Sequence, residues 1–216
     1  MAGVGLLVLA VLAGAANFGA IQHLVTPGDA TRTATNIAAS AGLFRLGIAA
    51  LVLVVALDVV VAWALRTFFE PANRSLATLA AWLRVGYAAI FAVAISQLLG
   101  VLTILSNAPY LKAFSIDQRR TDVLLKVQSY QDIWHISLVL FGLHLVLIGY
   151  LAYTSGYVPR LLGVLLVIAG GGYLVDSFGG MLLASYSINI SAVTFLGEAL
   201  LMLWLLAKGR NVTLTA

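Results

Sequence analysis

Ionisable side chains interrupt the long apolar runs of this chain, chief among them Arg45, Asp58, Arg84, Asp132, His135, His144, Asp176 and Glu198. Each costs about 2.5 to 3.5 kcal/mol to place at the centre of a membrane helix, so each needs a partner, a wet cavity or a route to the interface. Carboxylic acids and an imidazole in such surroundings suit acid–base chemistry. Glu198 or Asp58 would protonate an alkene, epoxide or carbonyl, and His144 would shuttle the proton. Metal chemistry is not expected. His135 and His144 are nine positions apart on one helix, about half a turn out of phase. With no cysteine in the chain, a thiolate metal site, an iron–sulfur cluster, a disulfide and a cysteine nucleophile are all excluded. No cofactor is expected either, since no Walker loop, zinc-protease helix, nucleophile elbow or dinucleotide fingerprint occurs. The run Gly170-Gly171-Gly172 sits in an apolar span and reads as a packing feature.

The elements that must position these groups are transmembrane helices. Hydrophobic residues make up 62% of the chain and charged residues 9%, with a mean hydropathy of +1.05, against about 25% charged in a soluble domain. Six runs reach the length of about 20 residues that a span needs: residues 4–25, 41–69, 76–105, 127–153, 158–184 and 189–207. The expected fold is all-α, a single membrane domain over 1–216 built as a six-helix bundle. The first run has no basic leading segment and reads as a retained span. Local breakers separate the runs: Thr26-Pro27-Gly28-Asp29, with Asp29 able to cap the next helical stretch; the turn Glu70-Pro71-Ala72-Asn73-Arg74; and Ser155-Gly156-Tyr157-Val158-Pro159-Arg160. Residues 106–126 form a longer connection with mixed charge and are expected to be interfacial and partly helical.

Depth arithmetic sorts the ionisable groups. Asp58 and Arg84 are each thirteen positions from Pro71, so a hairpin about that turn brings them level, on the order of 15 Å from the cytoplasmic edge. His144 and Glu198 come to nearly the same depth from their own turns, which predicts four groups from four spans in one mid-membrane layer. The same reflection sets Arg45 opposite Gln97. With His135 and Asp176, Arg45 makes a second layer nearer the other face. Gln128, Gln131, Asp132 and His135 share one helical stripe, and Ser191, Thr194 and Glu198 another; both are expected to face inward. Gly172, Asp176 and Gly180 recur every four residues and predict a close-packing face, and Gly14, Asn17 and His23 repeat that signal more weakly in the first span.

Each of these groups also has a plainer reading. Asp58 and Arg84 could be an ion pair that only fixes hairpin register, Arg45 could snorkel to the interface, and His144 could be a core histidine bonded to a carbonyl. Glu198 has no basic neighbour on its helix and needs a cross-helix partner or a proton. Tyr157 and Trp204 read as interface anchors. The formal charge is +4, but Lys and Arg stand singly at the ends of apolar runs, so nucleic acid is not an expected partner. Arg66, Arg74, Arg160, Lys208 and Arg210 fall on one side, against Arg32 alone in the short loops opposite. This favours both termini in the cytoplasm.

At Leu43-Phe44-Arg45-Leu46-Gly47, Pro71-x-Asn73-Arg74 and Phe141-Gly142-x-His144 the chain resembles the domain-of-unknown-function 4386 family of bacterial membrane proteins. Gly149-Tyr150-Leu151, Ser155-Gly156-Tyr157-x-Pro159-Arg160-x-x-Gly163 and Gly172-Tyr173-Leu174-x-Asp176-Ser177 continue the likeness over nearly the whole chain. The resemblance implies a six-helix protein of the bacterial cytoplasmic membrane and carries no activity or ligand with it. From the residues, the leading expectation is an intramembrane polar cavity, lined by Asp58, Arg84, His144 and Glu198, that binds or acts on a small amphipathic or isoprenoid-like molecule. His135, Asp176, Arg45 and Gln97 stand as further ligand-binding candidates. Small-solute or proton-coupled transport is a second reading, and a non-catalytic membrane partner or sensor a third. Membrane lipids are the expected surroundings in all three.

Overall fold

The structure, a computed structural model, describes residues 2–106, 108–183 and 185–209; Arg210, one of the charges that bear on orientation, lies outside the described residues. Among the described residues there is no strand, and six helices are long and apolar enough to cross a membrane. They are α1 (Ala2–Leu24), α3 (Ala41–Phe69), α4 (Arg74–Ile104), α5 (Ile116–Thr154), α6 (Arg160–Leu182) and α7 (Ser191–Lys208), with a short α2 (Ala30–Ala39) between the first two. Large apolar side chains face outward along them: Leu46, Leu53, Trp63, Trp82 and Leu161 are all exposed. A soluble protein would hide such a surface, whereas in lipid a helix closes its own backbone hydrogen bonds and leaves its greasy side chains outside.

The helix ends follow from local chemistry. Asp29 caps α2, its carboxylate accepting from the Arg32 amide at 2.8 Å, and Gly28 just before it takes φ 75, a conformation glycine adopts without Cβ strain. Asn73 caps α4 through the Leu76 amide at 3.0 Å. Gly156, at φ 76, lets the chain leave α5 in the left-handed turn that often ends a helix, and Pro159 precedes α6. Tyr157 ties that turn down, donating to the Phe68 carbonyl at 2.8 Å. Burial pushes its phenol up to about 12.

The fourth long helix starts inside the connection expected to be partly helical. α5 begins at Ile116, eleven residues before the expected span, because Ser115 and Gln118 make a reciprocal capping box: the Gln118 amide donates to Ser115 Oγ at 3.2 Å and the Ser115 amide to Gln118 Oε1 at 2.8 Å. At 39 residues the helix is about 58 Å long, far more than the hydrocarbon thickness of about 30 Å. The short turn Pro109–Ala113 lies in the same connection.

The chain falls into two compact units. One comprises residues 1–9, 56–89 and 135–216, the other 10–55 and 90–134. In the first, α5 and α6 touch backbone to backbone at two heights. A Cβ on Gly142 would meet the Gly170 carbonyl at 2.9 Å, and one on Gly149 the Gly163 carbonyl at 2.7 Å. Both pairs repeat at seven residues, so small residues line up on one side of each helix. The four-residue face expected around Asp176 is different: Gly172 lies against Thr194, Gly179 against Tyr186, and Gly180 meets nothing within 4 Å. A spacing of seven keeps one helix face turned toward one neighbour; Gly172 is two residues, about 200°, beyond Gly170 and serves α7 instead.

In the second unit, residues Ala15–Ile21 of α1 form a π-helix that holds Asn17 buried. The Tyr130 hydroxyl donates to Asn17 Oδ1 at 3.4 Å. Phe91, Tyr130 and Trp134 gather beside it, with ring centroids 5.8 to 6.3 Å apart. Arg119 reaches back to the end of α4, donating to the Ile104 carbonyl at 2.6 Å and the Ser106 carbonyl at 2.9 Å. A cation there offsets the partial negative charge of the helix C-terminus.

Candidate functional site

Asp58 on α3 and Arg84 on α4 meet as the hairpin arithmetic requires. Arg84 Nη2 lies 2.6 Å from Asp58 Oδ1, and both side chains are almost wholly buried, at 3% and 1% exposure. The approach is off the hydrogen-bonding line, so neither carboxylate oxygen gains a directed donor, and Arg84 Nε has no acceptor. Arg84 has two more neighbours on α5. Its Nη1 lies 3.3 Å from His144 Nε2, and its guanidinium carbon stands 5.3 Å from the centre of the Phe141 ring, a cation–π contact.

The partners fix the state of His144. Its Nδ1 lies 2.8 Å from the Ala80 carbonyl oxygen, which can only accept, so Nδ1 carries the proton. Arg84 can only donate, so Nε2 is the acceptor. Both ring nitrogens are engaged and the imidazole is neutral, a buried histidine that holds α5 against α4. Phe141 precedes it by three residues on the same helical face and packs on Tyr87 at 4.9 Å and Tyr173 at 5.3 Å.

Glu198 closes the cluster from α7. Its carboxyl group lies within electrostatic reach of the Tyr173 hydroxyl of α6, of Arg84, which attracts it, and of Asp58, which repels it. The residue as a whole is half-buried, but Oε1 is enclosed and has no partner. Its position is set by a break in α7. Residues Ser191–Thr194 and Leu196–Lys208 are separate helical pieces divided at Phe195, and the Glu198 amide bonds to the Phe195 carbonyl at 3.0 Å. Glu198 therefore sits in the first turn of the second piece, where the positive end of the helix dipole favours a carboxylate.

The other candidates lie elsewhere. Asp176 anchors the connection between α6 and α7: Oδ1 accepts from Tyr186 Oη at 2.6 Å and the Ile190 amide at 3.0 Å, and Oδ2 from the Ser191 amide at 2.7 Å. The bond to Asp176 holds the Tyr186 phenol proton and pushes that group up to about 12. Gln97 is held not by Arg45 but by Lys126, whose Nζ donates to Oε1 at 3.0 Å; Arg45 is exposed. The stripe of Gln128, Asp132 and His135, expected to face inward, is exposed as well. From Thr154 back to His135 is nineteen residues, about 28 Å. The stripe therefore begins near the edge of the hydrocarbon, where water or headgroups can solvate it and burial has nothing to offset.

A groove of about 420 Å³ is lined by Ala2, Val4, Phe68, Leu205 and Gly209, and one of about 460 Å³ by Leu174, Phe178, Leu182, Leu183 and Tyr186; none of Asp58, Arg84, His144 or Glu198 lines either. Sequence reasoning missed Tyr173 and Phe141 as members of the cluster. The available signals were the three-residue spacing of Phe141 and His144 and the place of Tyr173 one helical turn before Asp176.

Every residue of this cluster lies in a stretch shared with other proteins. The family model described as "Domain of unknown function (DUF4386)" matches residues 1–209. The chain belongs to this family. A relative in Archaeoglobus fulgidus, described as an uncharacterized protein, is 31% identical over 161 residues, covering 74% of this chain and 82% of its own. A relative in an archaeon carries the likeness beyond the bacteria implied by the sequence resemblance. No solved structure matches the chain. Its six long apolar helices make this a multi-pass helical membrane protein, and the four-helix ionic cluster is the feature in it that calls for a function.

Proposed function

We propose that this protein binds a small amphipathic, isoprenoid-like molecule at the α6–α7 side of the cluster and acts on it by acid–base chemistry, with Glu198 as the acid. One observation carries the reading. The cluster holds two carboxyl groups, Asp58 and Glu198, against one guanidinium, Arg84, and a neutral imidazole. Charge left unbalanced in so dry a place costs several kcal/mol, and a proton on Glu198 removes the excess. That proton faces Oε1, the oxygen without a protein partner. Given up to an alkene, epoxide or carbonyl, it leaves a carboxylate that Tyr173 and Arg84 can stabilise.

The inner three residues have a different part. Asp58, Arg84 and His144 bind one another and the Ala80 carbonyl, which supports a positioning role for His144 in place of the proton shuttling its residue type suggests. The same observation favours a second reading, in which the entire cluster only fixes helix packing in a non-catalytic membrane partner. Mass spectrometry of small molecules that co-purify with wild-type protein and with Glu198→Gln separates the two. An apolar molecule bearing a hydroxyl, epoxide or carbonyl, bound to wild type and lost from the variant, is the expected result; an empty or unchanged set would overturn the ligand reading. We further propose that the protein resides in a bacterial cytoplasmic membrane with both termini in the cytoplasm, on the strength of Arg66, Arg74, Arg160 and Lys208 lying at one end of the spans.

A further inference from the structure

A buried acid that works more than once must recover its proton from solution, and the structure offers a route. Along the seam between α6 and α7 the polar groups form a file. At one end the Asp176 carboxylate accepts from the Ser191 amide and the Tyr186 hydroxyl, in the connection between the two helices. At the other the Tyr173 hydroxyl lies within electrostatic reach of Glu198. Between them stands Thr194, three residues after Ser191 and four before Glu198, hence on one face of α7 with both. Its Oγ1 is buried and has no hydrogen-bond partner, and the same holds for Glu198 Oε1.

An orphaned threonine hydroxyl in a helix is unusual, because it ordinarily bonds to the carbonyl one turn back. Thr154, Thr103 and Thr67 of this chain all do so. At Thr194 the hydroxyl instead points at Gly172 of α6, where any side-chain carbon would collide with it. Room for it exists only because residue 172 is glycine. The break at Phe195 falls beside it, and interrupted helices are tolerated at membrane depth where they line protein or a wet passage.

We propose that Thr194 is the relay through which Glu198 exchanges its proton with solution from the Asp176 end of the seam. The inference rests on Glu198 being the acid. A hydroxyl both donates and accepts, so Thr194 takes a proton on Oγ1 from a water on the Asp176 side and passes its own, directly or over one water, toward Glu198 Oε1. One proton enters, one leaves, and the hydroxyl ends neutral. Gly172 keeps the space that this hydroxyl occupies.

Infrared spectroscopy of the full-length protein in phospholipid nanodiscs tests this on exposure to deuterium oxide. The protonated Glu198 carboxyl is the carbonyl band that Glu198→Gln abolishes, and its shift on deuteration gives the exchange rate. Thr194→Val keeps the shape and removes the hydroxyl; it is expected to slow exchange at least tenfold. Thr194→Ser restores the hydroxyl and should return the rate to within about twofold of wild type, which excludes a packing effect. Exchange in Thr194→Val at the wild-type rate would overturn the relay while leaving Glu198 as the acid. Absence of any band removed by Glu198→Gln would overturn the acid itself and the relay with it.

Discussion

Glu198 and Asp58 are both carboxylates of the same layer, yet their surroundings give them different work. Asp58 is locked to Arg84 at 2.6 Å with 1% of its side chain exposed; Glu198 keeps one oxygen unpartnered beside a helix break. The pair Asp58–Arg84 should behave as buried ion pairs do, contributing more when broken than when replaced. Arg84→Met alone, which leaves Asp58 charged and unpaired, is expected to cost about 3 to 5 kcal/mol of stability, whereas the double variant Asp58→Leu/Arg84→Met costs much less. Denaturant unfolding in detergent measures both, and equal losses would mean that the two residues are not coupled. His144 illustrates why residue type alone misleads. Its partners, a carbonyl that only accepts and a guanidinium that only donates, engage both ring nitrogens and tie its one N–H proton to Ala80.

Among the helices, the decisive contact is the antiparallel seam of α5 and α6, where Gly142 meets Gly170 and Gly149 meets Gly163. Close approach of two backbones gives the dispersion contact that replaces the hydrophobic effect inside lipid. Gly163→Val is therefore expected to prevent α5 and α6 from docking and to lower the thermal midpoint by at least 10 °C, while Gly180→Ala and Gly171→Ala, whose Cβ atoms meet open space, should leave it within about 2 °C. A light-scattering melt of the purified variants is sufficient, and equal behaviour of Gly163→Val and Gly180→Ala would refute the seam. The seam also fixes the rotation of α5, and with it the direction in which Phe141 and His144 present themselves to Arg84. Packing by small residues is thus a condition for the ionic cluster.

At the scale of the molecule, the proposed orientation rests on six spans and on four basic residues, Arg66, Arg74, Arg160 and Lys208, at one end of them. The absence of cysteine makes this simple to test, because a single introduced thiol is the only one to label. Ser155→Cys, in the turn after α5, should be protected from a membrane-impermeant maleimide in intact cells, and Lys112→Cys, in the connection after α4, should react at once. Reversal of that pattern would place the termini outside. The likeness to a protein of Archaeoglobus fulgidus invites the same pair of substitutions in that relative.

How much of this was legible in the sequence depends on what each feature needs. The six spans, the turns at Pro71 and Gly156, the Asp29 cap and the meeting of Asp58 with Arg84 all follow from local chemistry or from equal counting on either side of a turn. Depth along a membrane helix is fixed at about 1.5 Å per residue, so the chain by itself determined that Asp58, Arg84, His144 and Glu198 share a layer. Rotation about the helix axis is not fixed that way. It is decided by which neighbours pack against each face, and this sent Asp132 and His135 outward, gave Gln97 to Lys126, turned Asp176 into an anchor for the α6–α7 connection and brought Tyr173 and Phe141 into the cluster. The hydroxyl of Thr194 belongs to the same class: its exposure toward Gly172 exists only once two helices lie side by side.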